Sequence, residues 1–391
     1  MTRVVVIGAG AMGRIVLRDL AETADAAVEI VAADREIASA RRATRGFGRR
    51  VRAVTADATD AGSLATALRG AAVVINACHH SLNIRVMEGA LAARAHYCDL
   101  GGLFHVTRTQ LALDGEFRRA GLLAICGIGS APGIVNVMAR DAADRCDAVE
   151  EIHIAVGTHD GTVRRGLALL ETSYSIDTVL DEASQPAALF TNGRMTFVEP
   201  LSRAEPVRFP RPVGLQHPAC TLHSELATLP SSFPGVREVS FRIAFPGGLL
   251  DRLRFVHALG LTSREPIDVT GARVVPRDVL QALLAVAPRS RSVGPPDEYE
   301  VLRVSVSGRS GRRRVEHVLD CHVPGLPAWG VGVDIDTGAP PSIVAQMIVR
   351  GAIDARGVLP PERVIPPLPF YRELRRRGMR IARRTGHARH R

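Results

Sequence analysis

The feature that most constrains the fold is a run of glycines between the first predicted strand and the first predicted helix. Residues 3–7 form a short apolar run, and residues 11–21 carry apolar side chains at helical spacing. Gly8, Gly10 and Gly13 lie at their junction in the pattern GxGxxG. A second apolar run at residues 28–33 completes a strand–helix–strand unit. This unit predicts two parallel strands joined by a right-handed crossover.

The same alternation continues over the first third of the chain. Apolar runs predict strands over residues 51–55, 72–77, 96–100 and 122–126, with helices over 61–69, 83–93 and 107–120. Strands this apolar, joined by helical crossovers, are typical of a parallel sheet covered on both faces. We therefore predict an α/β fold that begins with a Rossmann-type domain over residues 1–133.

The character of the sequence changes after residue 133. A helix predicted over 134–145 is followed by longer, more polar strands, Pro-rich breaks at 206–218 and 288–296, and a hairpin at 308–311. This pattern predicts a second, α+β domain with a largely antiparallel sheet over 134–330, serving substrate binding and oligomerisation. We expect residues 331–370, with a helix over 342–355, to return to the first domain, and residues 371–391 to form an Arg-rich tail.

Composition narrows the classes of function. The chain has 391 residues and a net charge of +10, but residues 372–391 hold nine Arg against one Glu, so the remainder is nearly neutral. Specific nucleic-acid binding is therefore not favoured, and no apolar run approaches the roughly 18 residues of a membrane span. Six scattered cysteines without a CxxC pair suggest neither a metal site nor disulfides. Without a signal-peptide pattern, we expect a cytoplasmic protein.

The glycine pattern indicates a dinucleotide cofactor. Its second glycine lets backbone N–H groups approach a pyrophosphate at the helix N-terminus, and its third allows close packing of helix on strand. Asp34 ends the second strand, where a carboxylate would accept the adenosine ribose hydroxyls and repel a 2′-phosphate. NAD is therefore favoured over NADP, although the adjacent Arg35 could serve a phosphate. Further cofactor candidates lie in the glycine turn or follow later strands: Ala11, Met12, Asp57, Asn76, Ala77, Cys78, Gly101, Gly102 and Pro132.

Several segments, in order along the chain, resemble the saccharopine dehydrogenase-like superfamily. They include VVVIGAGAMG at 4–13, CDLGG at 98–102, GIGSAPGIVNVMA at 127–139, QPAALFTNGR at 185–194 and VAQMIVRGAIDARGVLPPE at 344–362. Within the superfamily the sequence is most similar to L-lysine 6-dehydrogenases. The resemblance implies an NAD(P)-dependent oxidoreductase acting on CH–NH2 or CH–NH groups, with a Rossmann domain packed on an α+β substrate domain. It also implies a homo-oligomer, a dimer or a tetramer.

Three functional hypotheses follow from this resemblance. The leading one is NAD-dependent oxidation of the side-chain amine of a lysine-like amino acid, giving a semialdehyde that cyclises to an imine. The second is the reductive direction, in which an amino acid is joined to an aldehyde or keto acid, as saccharopine- and carboxynorspermidine-forming relatives do. The third is a homologue that binds NAD without catalysis.

The catalytic base must be sought among His, Asp, Glu and Tyr, because the sequence contains no lysine. His79 and His80 follow the fourth predicted strand, close to the expected position of nicotinamide. His223 and Glu225 are candidates from the second domain, and Tyr174 lies in a segment that resembles the family. Three arginines of the second domain are available to hold a substrate carboxylate: Arg164, Arg165 and Arg242.

Overall fold

The computed structural model describes residues 2–166, 170, 172, 175–245, 248–288 and 290–387. Strands and helices alternate in the N-terminal part. The strands are β1 (Thr2–Ile7), β2 (Val28–Asp34), β3 (Val51–Thr55), β4 (Val73–Asn76), β5 (His96–Asp99) and β6 (Leu123–Ile125). The helices are α1 (Ala11–Thr23), α2 (Ile37–Ala43), α3 (Ala61–Ala67), α4 (Asn83–Ala92), α5 (Phe104–Leu111) and α6 (Asp114–Ala120).

These six strands and a later one, β20 (Gly357–Leu359), form a parallel sheet in the order β20-β6-β5-β4-β1-β2-β3. Its central strands are buried on both faces, which explains their continuous apolar sequences. The helix predicted over 107–120 is two helices, α5 and α6. The second begins at Asp114, whose carboxylate accepts the Val358 N–H at 2.9 Å and so holds β20 at the sheet edge.

A second sheet follows. Its strands are β7 (Ala148–Asp160), β9 (Ala187–Thr191), β10 (Arg194–Val198), β13 (Ala219–Cys220), β14 (Glu238–Ile243), β18 (Glu298–Ser310), β19 (Arg313–Val323) and β21 (Arg380–His387). Their order is β10-β9-β14-β7-β18-β19-β21, with β13 beside β14. The pairs are antiparallel apart from β14 with β7. The prediction of a parallel Rossmann-type sheet followed by an α+β domain is confirmed.

The remaining elements surround this second sheet or lie between the sheets. The short paired strands are β8 (Arg164–Arg165) with β17 (Arg291–Ser292), β11 (Val207–Arg208) with β12 (Leu215–Gln216), and β15 (Ile267–Val269) with β16 (Ala272–Val274). The helices are α7 (Ile134–Ala143), α8 (Ile176–Glu182), α9 (Leu229–Ser232), α10 (Leu249–Ala258), α11 (Pro276–Val286), α12 (Ile335–Val349), α13 (Pro361–Val364) and α14 (Pro367–Arg376). None of the described helices combines the length and the apolar character needed to cross a bilayer.

The C-terminal segment connects the two sheets. Helix α12 begins at Ile335, earlier than the predicted residue 342, and then β20 joins the first sheet and β21 the second. The described part of the Arg-rich segment is therefore not a free tail. Its Arg377 is buried, with Nε 2.6 Å from Asp19 Oδ1, and its Arg383 pairs with Asp141. These ion pairs give two of the arginines structural partners in the folded chain.

A candidate active site between the two sheets

A cavity of about 510 Å³ lies between the loops at the carboxyl ends of the first sheet's strands and one side of the second sheet. In folds of this type, ligands bind at the carboxyl ends of the parallel strands. One wall consists of residues that the sequence predicts as cofactor contacts: Gly10, Ala11, Met12, Ala77, Cys78, Gly101, Gly102 and Pro132. The opposite wall comes from α8, β14, β18 and the start of α12. Residues of both domains therefore line the same cavity.

The glycine turn fits a dinucleotide. Gly8 has a φ of +93°, and a Cβ on Gly13 would stand 1.9 Å from the Gly8 carbonyl oxygen, so helix α1 can lie against the turn only with glycine there. A Cβ on Gly10 would meet nothing within 4 Å. The N-terminus of α1, which no side chain caps, is therefore open to the cavity. Free N–H groups and the helix dipole at such an end suit a pyrophosphate.

Asp34 supports this turn from the end of β2. Its Oδ2 accepts the Ala9 N–H at 2.7 Å, and its Oδ1 accepts the Glu36 N–H at 2.8 Å. The side chain is half-buried, and each of its oxygens retains a further lone pair. The carboxylate is thus placed next to the glycine turn, where an adenosine ribose would lie.

Two other predicted cofactor residues do not line the cavity. Asp57 accepts the N–H and hydroxyl of Thr59 at 2.8 and 2.7 Å, which stabilises a turn before α3. Asn76 is buried, donates to Asn83 at 2.9 Å and accepts the Cys78 N–H at 3.1 Å. The contacts of Asp57 stay within its own turn, whereas those of Asn76 hold the loop whose Ala77 and Cys78 line the cavity.

Asp99 organises the floor of the site, a role that the sequence did not reveal. Its Oδ1 accepts the N–H groups of Gly101 at 2.9 Å and Gly127 at 2.7 Å, and its Oδ2 accepts the Tyr97 hydroxyl at 2.9 Å. Burial raises its pKa in spite of these hydrogen bonds. Because Gly101 and Gly127 follow different strands, one carboxyl fixes two loops. Pro132 then packs against both glycines, where Cβ atoms would come within 2.8 and 2.6 Å of its ring.

His79 and His80 lie together at the cavity but face a network of ion pairs. His79 Nε2 is 3.4 Å from Asp177, and His80 Nε2 is 3.5 Å from Asp181. Arg277, 1% exposed, reaches both of these carboxylates at 2.8 and 3.1 Å, and Arg264 does so at 3.1 and 3.2 Å. The network therefore fastens the loop after β4 to helices α8 and α11.

Burial outweighs the carboxylates of this network in setting the protonation of the two histidines. Burial, reinforced by the neighbouring His79, lowers the pKa of His80 to about 4, and burial also lowers the pKa of His79. Both rings are therefore neutral at pH 7. Together with Asp181 they place three possible metal-ligating atoms within 4.8 Å of one another. Since two guanidinium groups already neutralise the carboxylates, we interpret this cluster as an ion-pair network.

His223 has the opposite electrostatic setting. Its ring stacks on Phe241 with centroids 3.7 Å apart, its Nδ1–H donates to Glu225 Oε2 at 2.9 Å, and its Nε2 lies 3.7 Å from Glu182 Oε1. Burial alone would lower the pKa of this imidazole. The nearby charges of Glu225 and Glu182 outweigh burial and raise it above its usual value. His223 also lines the cavity, so its ring faces the space beside the cofactor loops.

The remaining wall is acidic, and sequence reasoning missed it. Four carboxyl side chains line the cavity: Glu182, Glu300, Asp334 and Asp336. They come from α8, β18 and the segment that begins α12, so no local motif joins them. The sequence pattern that could have drawn attention to this wall is the DxD pair of Asp334 and Asp336 at the start of the apolar helix α12.

The predicted carboxylate-binding arginines lie elsewhere. Arg164 pairs with Asp160 at 2.6 Å and with Glu298 at 3.3 Å, and Arg242 pairs with Glu205 at 2.8 Å. Arg165 is exposed on β8. Among the described residues, no arginine lines the cavity. Tyr174, the remaining predicted catalytic residue, lies outside the described residues.

Comparisons with known proteins agree with this architecture. The family model described as the saccharopine dehydrogenase NADP binding domain matches residues 4–125, and that of the saccharopine dehydrogenase C-terminal domain matches residues 129–379. Among solved structures, saccharopine dehydrogenase (L-Glu forming) from Saccharomyces cerevisiae has a TM-score of 0.75 at 17% identity, covering 99% of this chain and 100% of its own. A homospermidine synthase from Legionella pneumophila, solved in complex with NAD, has a TM-score of 0.69 at 12% identity, covering 99% and 91%.

Two curated relatives are more similar in sequence. A carboxyaminopropylagmatine dehydrogenase from Synechocystis is 24% identical over 396 residues, which covers 97% of this chain and 96% of the relative. A carboxynorspermidine synthase from Vibrio cholerae is 26% identical over 314 residues, covering 74% of this chain and 73% of the relative. Both names describe enzymes of carboxylated polyamines.

Proposed function

The chain belongs to the saccharopine dehydrogenase family, whose members are NAD(P)-binding oxidoreductases, and from this premise we propose that it reduces an imine to a secondary amine. The imine would form between a primary amine and an aldehyde or keto acid, with loss of water. The reducing equivalent is the hydride of NAD(P)H, which is transferred to the imine carbon while a proton is added to the nitrogen. This is the second of the three hypotheses drawn from the sequence.

The observation that carries the proposal is the position of His223, which lines the cavity between the carboxylates of Glu225 and Glu182. Reduction of an imine needs an acid at the nitrogen, whereas oxidation of an amine needs a base. Glu225 and Glu182 hold the pKa of His223 above its usual value, which favours the protonated ring that an acid role requires. His79 and His80 have lowered pKa values and suit an acid role less well. His223 is therefore the proposed proton donor, and Glu225 fixes its orientation through Nδ1.

The cofactor side of the cavity has a separate role. The open N-terminus of α1 would bind the pyrophosphate, and Asp34 would accept the ribose hydroxyls, which favours NADH over NADPH. Asp99 keeps the loops of Gly101 and Gly127 in place beneath the reacting atoms. The thiol of Cys78 stays protonated, because burial and the charge of Asp34 raise its pKa to about 12. Cys78 therefore helps to shape the site and does not act as a nucleophile.

Two observations favour reduction over the lysine-oxidising reaction expected first from the sequence. The relatives at 24% and 26% identity carry names of enzymes that handle carboxylated polyamines. No arginine of the described residues lines the cavity, whereas four carboxyl side chains do. An acidic cavity suits an amine that carries further cationic groups.

The test is a pair of assays on the purified protein. In the first, oxidation of NADH and of NADPH is followed with an amino-acid semialdehyde and, in turn, agmatine, 1,3-diaminopropane and L-lysine. In the second, NAD reduction is followed with L-lysine alone. We expect NADH oxidation that depends on both aldehyde and amine. NAD reduction by L-lysine without that activity would support the lysine 6-dehydrogenase reaction, and NADH binding without turnover in either assay would support a non-catalytic homologue.

A further inference from the structure

Two carboxyl groups meet on the cavity wall opposite the cofactor loops. Glu300 lies on β18 and accepts the Thr158 hydroxyl at 3.0 Å. Asp336 lies in the first turn of α12, where the Thr337 hydroxyl donates to its Oδ1 at 3.1 Å. The two carboxyls are within hydrogen-bonding reach of each other. Both residues line the cavity.

Asp336 is incompletely satisfied. It is 2% exposed, and its Oδ2 has no hydrogen-bond partner among the described residues. Glu300 cannot donate to this oxygen while both carboxyls are ionised, because each then only accepts. A buried acceptor without a donor costs free energy that a ligand with N–H groups would recover. The arrangement therefore calls for a cationic donor.

The surrounding charges do not supply that donor. Asp334 lies beside the pair and is also acidic, and Glu298, on the same strand as Glu300, adds further negative charge. Arg164 reaches Glu298 at 3.3 Å but does not line the cavity. The Cys321 thiol supplies no cation either, because burial raises its pKa and keeps it neutral. Burial raises the pKa of both carboxyls, and the charge of Glu300 raises that of Asp336 further, which favours a proton on the pair when no other cation is present.

We propose that Glu300 and Asp336 bind a second cationic group of the substrate, an ammonium or a guanidinium, at a distance from the nitrogen that reacts. The inference rests on the proposed function, since it specifies the amine of that reaction as a diamine, a polyamine or an aminoalkyl guanidine. Such a group brings several N–H donors and a positive charge, and it replaces the shared proton of the pair. A substrate amine that has no second cationic group makes no contact with Glu300 and Asp336.

The experiment is calorimetric titration of the full chain, with and without saturating NADH. The probes are agmatine and 1,3-diaminopropane as dications and propylamine as the monocation. We expect each dication to bind about 10-fold or more tightly than propylamine, as charge-assisted hydrogen bonds to a buried acceptor require. Glu300→Gln and Asp336→Asn should remove most of this preference and leave the NADH affinity unchanged. Glu316→Gln, on β19 outside the cavity, is the matched control and should keep the preference.

A second readout needs no variant and covers the case in which a substitution prevents folding. Titration of the unaltered protein with 1,3-diaminopropane in two buffers of different ionisation enthalpy should show release of a proton that propylamine does not release. Equal affinities for the dications and propylamine, or an undiminished preference in folded Glu300→Gln and Asp336→Asn proteins, would overturn the assignment. Failure of the proposed function has a different signature, because a preference for dications without NADH binding or turnover would leave the subsite in place and remove the reductase.

Discussion

The two walls of the cavity are built from different parts of the polypeptide. The cofactor wall is mainly backbone: a glycine turn, an open helix N-terminus and loops held by one buried carboxyl. The substrate wall is made of ionisable side chains from separate elements, in which two carboxylates raise the pKa of His223, and Glu300 and Asp336 form an acidic pair. Backbone groups suit a pyrophosphate, which every dinucleotide has in common. Side-chain charges suit the part of the reaction that distinguishes one substrate from another.

The largest effect of a substitution is expected on the cofactor wall. In Gly13→Ala, the new Cβ would stand 1.9 Å from the Gly8 carbonyl oxygen, which forces the helix away from the turn. Overpacking of this kind costs about 3 kcal/mol or more. We expect a lower melting temperature and loss of NADH binding, measured by thermal denaturation and by NADH fluorescence. In Gly62→Ala the new Cβ would come no closer than 3.5 Å to the Asp60 side chain, so this variant should behave like the unaltered protein. Normal NADH affinity in Gly13→Ala would refute the proposed turn.

The second largest effect is expected on the substrate wall. His223→Gln keeps a hydrogen-bonding side chain but removes the titrating ring, so kcat for imine reduction should fall by about 100-fold or more. The affinity for NADH should change little, because His223 belongs to the opposite wall. Steady-state kinetics with separate NADH titration measure both quantities. An unchanged kcat, or an equal loss in His80→Gln, would show that the proton comes from another group.

A smaller effect is expected at Asp34. Asp34→Ala removes the acceptor of the Ala9 N–H and of the ribose hydroxyls, and the affinity for NADH should fall by about 10-fold. The affinity for NADPH should fall less, because the repulsion of a 2′-phosphate is lost as well. Equilibrium titration with both cofactors gives the ratio. Asp57→Ala, which disrupts only a local turn, serves as the comparison, and equal effects of the two variants would contradict the assignment of Asp34.

The smallest effect is expected on the pH dependence of kcat, which the charge of Glu225 influences. The charge of Glu225 raises the pKa of His223, so the rate of reduction should fall as the pH rises through that raised value. Glu225→Gln removes the charge and keeps the hydrogen-bonding shape. The decline should then begin about one pH unit lower. Profiles of kcat against pH for both proteins measure the shift, and superimposable profiles would exclude His223 as the titrating acid.

The sequence predicted the cofactor wall better than the substrate wall, for a physical reason. A turn that needs glycine at fixed positions leaves a contiguous pattern, so the parallel sheet, the turn and the placement of Gly10, Ala77 and Gly101 at the cavity could be read directly. Glu300 and Asp336 meet only because β18 and α12 pack together, and nothing local marks Glu300 or links it to the DxD pair that contains Asp336. His223 and Glu225 could be proposed as candidates from the sequence, where they are two residues apart. The electrostatic difference between His223 and His80 depends on partners from α8, which only the fold reveals.

The measurement that bears most directly on the proposed reaction is isotope transfer from the cofactor. The protein is incubated with NADH deuterated on the transferred side of C4, an amino-acid semialdehyde and 1,3-diaminopropane, and the product is analysed by mass spectrometry. We predict a secondary amine that carries one deuterium on the carbon next to the new nitrogen. Protein that binds NADH but yields no deuterated amine with any of the amines tested would contradict the reductase.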